Sequence, residues 1–506
     1  MRRHLPFHAL AVSAVLLVPL RGADPAPAAG SGPQPAAAEA KPPPVSVVPV
    51  WGYSDFGPAG AVASRTHVDD LDFTEVAFAN GVRLNLKKTN FEKNAVRVAA
   101  RLGTGQLTEP AATEPGLSTF ASLTFSVGGL GKHSLDDLQR VLVGRAAGIH
   151  FTSTMDAFIY EGQTNPKTLP FELQLLTASI EDPGYRPEAQ RVARGRIETA
   201  YQSFAHSERG PLALQVPKLL AGGDPRFGLP THAEMMARNL NEVRDWLAPQ
   251  LASGPLEVSL VGDIDVDAAI DAAARTLGTL PKRDPRPPLD ALCKVSFPSR
   301  PFTKDYAVEM SLPKGLVAVY WPTSDGMDVG RARRLNILGL LLAERLRVKV
   351  GDKLPSAVPP TVGSTASDIF PGYGYIAAIA IVDPPKAREI ESAIVAVAAD
   401  MSANGVKQEE LDGAMAKTLR SVLETELTNG YWMTVLGRAQ EKPEVLDWAR
   451  NRLADFKAIS KADIDTVAKD YLGEDKASRV TIHPYATPAS SPLLVSPTPP
   501  PPPDGL

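Results

Sequence analysis

Two stretches of the chain repeat one order of apolar and polar segments. Each opens with an apolar run rich in β-branched residues, which predicts a strand, at residues 95–102 (AVRVAARL) and at residues 316–322 (LVAVYWP). A helical segment follows each strand, and a further predicted strand begins near His150 in the first stretch and near Gly372 in the second. In the second helical segment four leucines recur at helical spacing: Leu335, Leu338, Leu342 and Leu346.

Matching pairs of long helices close both stretches. Pro166 and Pro384 precede the first helix of each pair and lie 218 positions apart, while Glu188 and Glu409 in the second helices lie 221 positions apart. An offset this constant indicates an internal duplication. We therefore predict an α+β fold of two homologous domains, each a mixed sheet covered on one face by helices.

Proline-rich segments divide the chain. Residues 24–46 are rich in Ala and Pro and cannot bury a core, PKRDPRPP at 281–288 marks a second break, and PTPPPPPDGL ends the chain. The predicted organisation is, in order, a signal peptide at 1–28, a Pro/Ala-rich linker and lead-in at 29–69, a first domain at 70–282, a connector at 283–300, a second domain at 301–487 and a Pro-rich disordered tail at 488–506.

The N-terminus predicts export. Two arginines precede an apolar run from Phe7 to Leu20, and a small-residue stretch offers cleavage after Ala28, which is the pattern of a secretory signal peptide. An uncleaved membrane anchor is the alternative, although the run is short for a span. Cys293 is the only cysteine, so no internal disulfide can form. Export without disulfides predicts a bacterial periplasmic protein.

Composition limits the classes of partner. The formal net charge is -4 and the hydrophobic content is 44% over 506 residues, which predicts a globular protein with sizeable cores. So small a net charge gives no sign of a nucleic-acid partner or of an anionic membrane. No segment after the N-terminus approaches twenty consecutive apolar residues, so no later membrane span is predicted.

The segment GLSTFASLTF, residues 116–125, resembles the frame that carries the HxxEH zinc motif in insulinase-like (pitrilysin) peptidases, in runs such as GLAHFLEHM. On that frame the first His falls at Thr119, the Glu at Ser122 and the second His at Leu123. None of these residues can bind zinc or act as a carboxylate base toward a metal-bound water. Glu198 falls where the resemblance places the third ligand, but one carboxylate makes no zinc site, and we interpret it as a solvated residue on a helix face.

The resemblance extends over about residues 70–485. FANGVRLNLKK resembles the opening hairpin of the family, with Asn80 and Gly81 in the turn. Residues 258–281 resemble the strand, helix and closing segment at the end of a family domain. Residues 371–384 (PGYGYIAAIAIVDP) and 429–440 (NGYWMTVLGRAQ) resemble the C-terminal half of the longer, four-domain bacterial members.

Many family members also carry an Arg and a Tyr that contact substrate and polarise the scissile carbonyl, in a pattern like RLRxxxRExxGxxY. The start of this pattern is present at residues 345–347, but in an ungapped alignment the Arg becomes Gly351 and the Tyr becomes Val358. A shifted alignment leaves other side chains as substrate-binding candidates, and two aromatic residues are candidates for lining the peptide chamber, with buried packing as their alternative. The candidates are Arg347, Tyr373, Tyr375, Tyr431 and Trp432.

The resemblance implies a function as well as a fold. In this family two half-shells close around a chamber for unfolded peptides, and bound peptide adds as a strand to a sheet edge. The chain is expected to be a non-catalytic half-shell with no cofactor of its own, paired with an exported, HxxEH-containing partner that holds zinc. Two alternatives stay open, namely a peptide-binding or scaffold protein without a proteolytic role, and a metallopeptidase active by itself.

Overall fold

The computed structural model describes residues 49–310, 314–350 and 359–485. The predicted signal peptide, nearly all of the Pro/Ala-rich segment before residue 49 and the tail from residue 486 lie outside the described residues, and so do Gly351 and Val358.

Strands from the first half of the chain form a seven-stranded sheet, here called the first sheet. Its order is β1-β2-β3-β7-β4-β6-β5, with β3 and β7 parallel and all other neighbours antiparallel. The strands are β1 (Val62–Val68), β2 (Phe73–Phe78), β3 (Arg83–Lys88), β4 (Val96–Leu102), β5 (Ile149–Ser153), β6 (Phe158–Thr164) and β7 (Leu256–Gly262).

The second sheet has the same plan with fewer strands. Its order is β10-β11-β9-β12-β8, and β8 and β12 are parallel where the other neighbours are antiparallel. The strands are β8 (Thr303–Val308), β9 (Gly315–Pro322), β10 (Thr361–Ala366), β11 (Gly374–Val382) and β12 (Ser478–Pro484). In both sheets the closing strand is parallel to an opening strand of the same unit, β3 with β7 and β8 with β12. The predicted α+β fold with two related mixed sheets is confirmed.

Helices fill the connections between strands. In the first half they are α1 (Leu117–Thr124), α2 (Leu135–Leu142), α3 (Leu169–Glu181), α4 (Pro187–Ala205), α5 (Arg209–Leu214), α6 (Val216–Leu220), α7 (His232–Ala237), α8 (Leu240–Ser253) and α9 (Val266–Ala274). In the second half they are α10 (Val329–Val350), α11 (Ala387–Asn404), α12 (Gln408–Glu426), α13 (Asn429–Leu436), α14 (Glu444–Arg450), α15 (Arg452–Ala458) and α16 (Lys461–Tyr471).

The main core of each half lies between one sheet face and its own helices. Along β4 buried and half-buried residues alternate, so Val96, Val98, Ala100 and Leu102 face this core. Helices α1, α3, α4, α8 and α9 contribute residues to the same cluster. In the second half α10, α11 and α16 cover β9 and β11 in the same way.

Each half also lends helices to the opposite face of the other sheet. Val435 and Leu436 of α13 and Leu446 of α14 pack against Phe73 and Val261 of the first sheet. Reciprocally, α6 packs on the second sheet, in a cluster that includes residues of β8, β9 and β12. The two halves are therefore held together by an exchange of helices across both sheets.

Two details of the strands differ from the sequence-based expectation. The single strand predicted from His150 is the hairpin β5–β6, because the Thr154 amide donates to the Ala157 carbonyl and closes a turn between them. Strand β10 was not predicted, because the residues of its sequence TVGSTA are mostly small or polar. The structure shows it as a strand paired with β11. The predicted turn at Asn80 and Gly81 does join β2 to β3, with Gly81 at φ +88°.

We predict that truncating the Leu436 side chain lowers the stability of the folded protein. Leu436→Ala removes a fully buried side chain from the contact between α13 and the first sheet, and should lower the free energy of unfolding by about 2–5 kcal/mol. Denaturant unfolding followed by tryptophan fluorescence measures this change. Leu427→Ala, at an exposed position just after α12, is the matched control, and equal stability of the two variants would contradict the prediction.

Candidate functional site

The degenerate zinc motif lies on α1, and all eight residues of that helix are buried. The helix begins after Gly116, whose φ of +82° is in the left-handed region. A Cβ at this position would meet the Met235 sulfur at 2.5 Å, so glycine is needed for both reasons. The Glu109 carboxylate accepts a hydrogen bond from the Ser118 amide at 3.2 Å and so satisfies one free donor of the first turn.

The three motif positions are used for packing. Leu123 is 1% exposed and belongs to the main core of the first half, while Thr119 is 7% exposed. Ser122, where the catalytic glutamate would stand, is 6% exposed. Its hydroxyl donates to the Ser118 carbonyl at 2.9 Å and accepts from the Ser153 amide of β5 at 2.9 Å. At the position of the general base, the Ser122 hydroxyl therefore links α1 to β5 by hydrogen bonds.

A second serine extends this link along β5. The Ser126 hydroxyl, just after α1, accepts from the Phe151 amide at 3.3 Å. Strand β5 is the edge of the first sheet, and its pairing with β6 uses the alternate residues, so Phe151 and Ser153 direct their amides away from β6. These two edge donors are thus occupied by side chains of the same chain.

Glu198 lies on α4, on the solvent side that the sequence predicted. Its carboxylate is 2.8 Å from His232 Nε2 and accepts a hydrogen bond from Gln202 at 2.9 Å. Both members of the ion pair are nearly half exposed. Within residues 49–310, 314–350 and 359–485 no three His, Cys, Asp or Glu side chains are grouped so as to hold a metal ion.

The structure disperses the substrate-binding candidates of the second domain. Arg347 is exposed near the end of α10 and pairs with Glu344 one turn earlier, at 2.6 Å. Tyr373 is 4% exposed and packs edge-on against Phe227 at 5.6 Å between ring centres. Burial raises the pKa of Tyr373 far above its ordinary value. Tyr375 is half buried beside it, 6.2 Å away. Tyr373 is therefore buried where the two domains meet, and Tyr375 packs beside it.

Tyr431 and Trp432 also lie in a domain contact. Both are on α13, in the cluster that covers the outer face of the first sheet. The Lys87 ammonium group stands over the Trp432 ring at 4.3 Å, and the Arg452 guanidinium stands over the Tyr431 ring at 4.6 Å. The packing alternative for these two aromatic residues is the one that their surroundings favour.

A largely buried ionic cluster, missed from the sequence, joins the two domains around Asp156. Asp156 Oδ2 lies 2.8 Å from Arg101 and 3.5 Å from Arg438, and Arg438 also reaches Asp368 at 2.7 Å. Burial alone would raise the pKa of Asp156, but Arg101 and the other nearby guanidinium groups hold it below its ordinary value. The members are too far apart in sequence for any motif to reveal them.

Glu172 is the second group that sequence reasoning missed. It is fully buried on α3; one carboxylate oxygen accepts from the Gly148 amide at 2.9 Å, and the other has no partner among the described residues. Burial raises the pKa of Glu172 to about 7. The apolar run LPFELQLL around it was the available signal, because a lone Glu on the buried face of a helix is uncommon.

Comparisons with known proteins agree with this geometry. Residues 239–418 match the family model described as the peptidase M16 inactive domain. The chloroplastic stromal processing peptidase of Arabidopsis thaliana is 24% identical over 224 residues, which cover 44% of this chain and 18% of that protein. The resemblance to the insulinase-like peptidases is confirmed.

Solved structures share the fold of this chain over most of its length. The periplasmic protease PqqL of Escherichia coli superposes with a TM-score of 0.69 at 16% identity, covering 89% of this chain and 49% of that one. An M16 inactive domain from Pseudomonas fluorescens superposes with a TM-score of 0.67 at 16% identity, covering 81% of this chain and 98% of that one. The chain spans about half of PqqL and less than a fifth of the stromal processing peptidase. None of its described helices is long and apolar enough to cross a membrane.

We predict that the Ser122 link stabilises the first half. Ser122→Ala leaves the buried Ser153 amide without an acceptor, which should lower the free energy of unfolding by about 1–3 kcal/mol. Chemical denaturation measures the loss. Thr199→Ala is the matched control, because the Thr199 hydroxyl bonds only within an exposed turn of α4. A loss no larger than that of the control would refute a structural role for the Ser122 hydroxyl.

Glu172 should make stability depend on pH. Its pKa is raised from 4.5 to about 7, so folding carries no penalty below pH 4.5, a growing one between about pH 4.5 and 7, and a constant one of about 3 kcal/mol above that. Glu172→Gln should therefore stabilise the protein at pH 8 and have little effect near pH 4.5, as measured by thermal unfolding at both pH values.

The control for this pH experiment is Glu161→Gln, at an exposed position on the neighbouring strand β6. It should leave the pH dependence of the melting temperature unchanged. A Glu172→Gln variant whose gain is the same at both pH values would contradict the titration of Glu172.

Proposed function

We propose that the chain is the non-catalytic half of a periplasmic insulinase-like peptidase and forms one wall of a peptide chamber with a zinc-bearing partner. The proposal rests on the surroundings of Ser122, which occupies the position of the catalytic glutamate. Its hydroxyl accepts a hydrogen bond from β5 and donates one within α1, so it joins the helix to the strand. With Thr119 and Leu123 at the ligand positions, the chain has no means of binding zinc through this motif.

The hydrogen bonds at the edge of β5 bear on which half of the peptidase binds peptide by strand addition. An added peptide strand needs free backbone donors and acceptors at a sheet edge. The Phe151 and Ser153 amides of β5 already donate to serine hydroxyls, so strand addition at this edge would break two hydrogen bonds. We assign strand addition to the partner and the opposite wall of the chamber to this chain.

The extent of the likeness supports a partner. This chain covers 49% of PqqL and 98% of the separate inactive domain from Pseudomonas fluorescens, so it corresponds to one half of the longer protein. The partner we propose is an exported insulinase-like protein that carries HxxEH. The export pattern at residues 1–28 and the description of PqqL as periplasmic support the same compartment for both.

The test combines zinc analysis with cleavage of an unfolded peptide. The isolated chain should contain no zinc and cleave nothing, while its complex with the exported HxxEH protein should contain one zinc per pair and cleave the peptide. Thr119→Ala in this chain should leave the activity of the complex unchanged, whereas Glu→Gln in the HxxEH motif of the partner should abolish it.

Four other outcomes would change the assignment. Zinc and activity in the isolated chain would overturn the proposal in favour of an independent metallopeptidase. A stable complex that gains no activity from this chain would favour a scaffold, as would the failure of any exported HxxEH protein to bind it. Loss of activity through Thr119→Ala with the fold intact would contradict the wall assignment.

A further inference from the structure

A cleft separate from the motif helix lies where the two domains meet on the side of β8. It encloses about 580 Å³ between the end of α4, the start of α5 and the edge of the second sheet. Its lining includes six aromatic or imidazole rings: Tyr201, Phe204, His206, His232, Tyr306 and Tyr485. Tyr201 and Phe204 are buried, while His206, His232 and Tyr485 remain substantially exposed.

Strand β8 gives this cleft a polar edge. It is the last strand of the second sheet and, within the described residues, pairs with β12 alone. The Arg479 amide donates to the Phe302 carbonyl and the Tyr485 amide to the Val308 carbonyl, so the even-numbered residues of β8 face β12. The backbone groups of Thr303, Asp305 and Ala307 therefore point the other way, and Ala307 lines the cleft.

The chain itself supplies a segment that matches this surface. Tyr485 is the last described residue and lines the cleft, and the sequence continues from there to residue 506. Residues 499–503 are five consecutive prolines. Thirteen intervening residues span up to about 45 Å when extended, which is ample to bring these prolines back to the cleft. A polyproline II helix of five residues is about 15 Å long, comparable with a cleft of this volume.

We propose that the proline run Pro499–Pro503 docks in the cleft of its own chain. Proline-rich segments bind aromatic-lined grooves because their extended helix is preformed and little entropy is lost on binding. Carbonyls in a polyproline II helix have no internal partner, so they can accept hydrogen bonds from the β8 amides that point away from β12 or from the Tyr306 hydroxyl. Proline has no amide to offer in return, so the covered edge cannot template a further strand.

Attachment at the cleft favours the intramolecular arrangement. A segment tethered thirteen residues away has an effective concentration in the millimolar range, so modest intrinsic affinity is enough to keep the cleft occupied. A tail bound in the cleft would cover the β8 backbone groups that point away from β12. Exposed groups of this kind at a sheet edge can pair with strands of other chains.

The experiment uses a chain ending at Tyr485 and a fluorescent peptide of residues 496–506, with binding followed by anisotropy. The peptide should bind the shortened chain in a saturable manner and the full chain at least tenfold more weakly, because the resident tail competes. Tyr306→Ala and His206→Ala in the shortened chain should each weaken binding at least fivefold. His206 is exposed, so this variant remains informative even if Tyr306→Ala unfolds the protein.

Matched controls separate docking from general stickiness. Val143→Ala, at a position that is 79% exposed and outside the cleft, should leave binding unchanged. A peptide with the five prolines replaced by alanine should not bind. Equal binding of the peptide to both forms of the chain, or binding to neither, would overturn the proposal. A dimer that forms only when the tail is present would assign the tail to a second copy and would overturn docking within one chain.

Discussion

The contact between α13 and the first sheet is the interaction on which the rest of the structure depends. The Leu436 carbonyl accepts hydrogen bonds from Asn85 at 2.8 Å and from Ser259 at 2.9 Å, so the end of the helix is tied to two parallel strands at once. Glu257, two residues before Ser259 on β7 and on the same face, accepts a hydrogen bond from the Gln440 amide at 2.8 Å. A polar stripe on β3 and β7 thereby recognises one helix of the other half.

The polar part of this contact fixes how α13 is placed on the sheet more than it adds to stability. Burial raises the pKa of Glu257, and Arg83 at 3.6 Å offsets only part of that cost. Buried charges of this kind contribute little net energy compared with apolar residues, but removing one partner is expensive. The apolar contacts of Leu436 and Val261 supply the attraction, while the polar stripe allows one register and one orientation.

Much of the fold was predictable because its signals are local, and the rest depends on contacts distant in sequence. The strands at 95–102 and 316–322, the duplicated helix pairs and the Asn80–Gly81 turn each follow from residues within one element. The exchange of helices does not. Asn85, Glu257 and Ser259 alternate with apolar residues in the manner of a solvent-facing side, and it is the segment around α13, more than 170 residues away, that buries this side. For the same reason Tyr373, Tyr431 and Trp432 were substrate-binding candidates from the sequence, yet they pack between the domains.

Packing also determines what the motif helix α1 can bind. A metal site needs several polar side chains that converge on a space open to water, and such a space weakens the core beside it. In α1 the corresponding positions hold Thr119, Ser122 and Leu123, all of which are buried, and the Ser122 hydroxyl binds the edge strand β5 to the helix. Restoring histidines there would bury two imidazoles and displace Leu123 from the core, so the motif alone could not rebuild a site. The packing of α1 against the core and β5, and not only the identity of three side chains, therefore disfavours a metal at the motif positions.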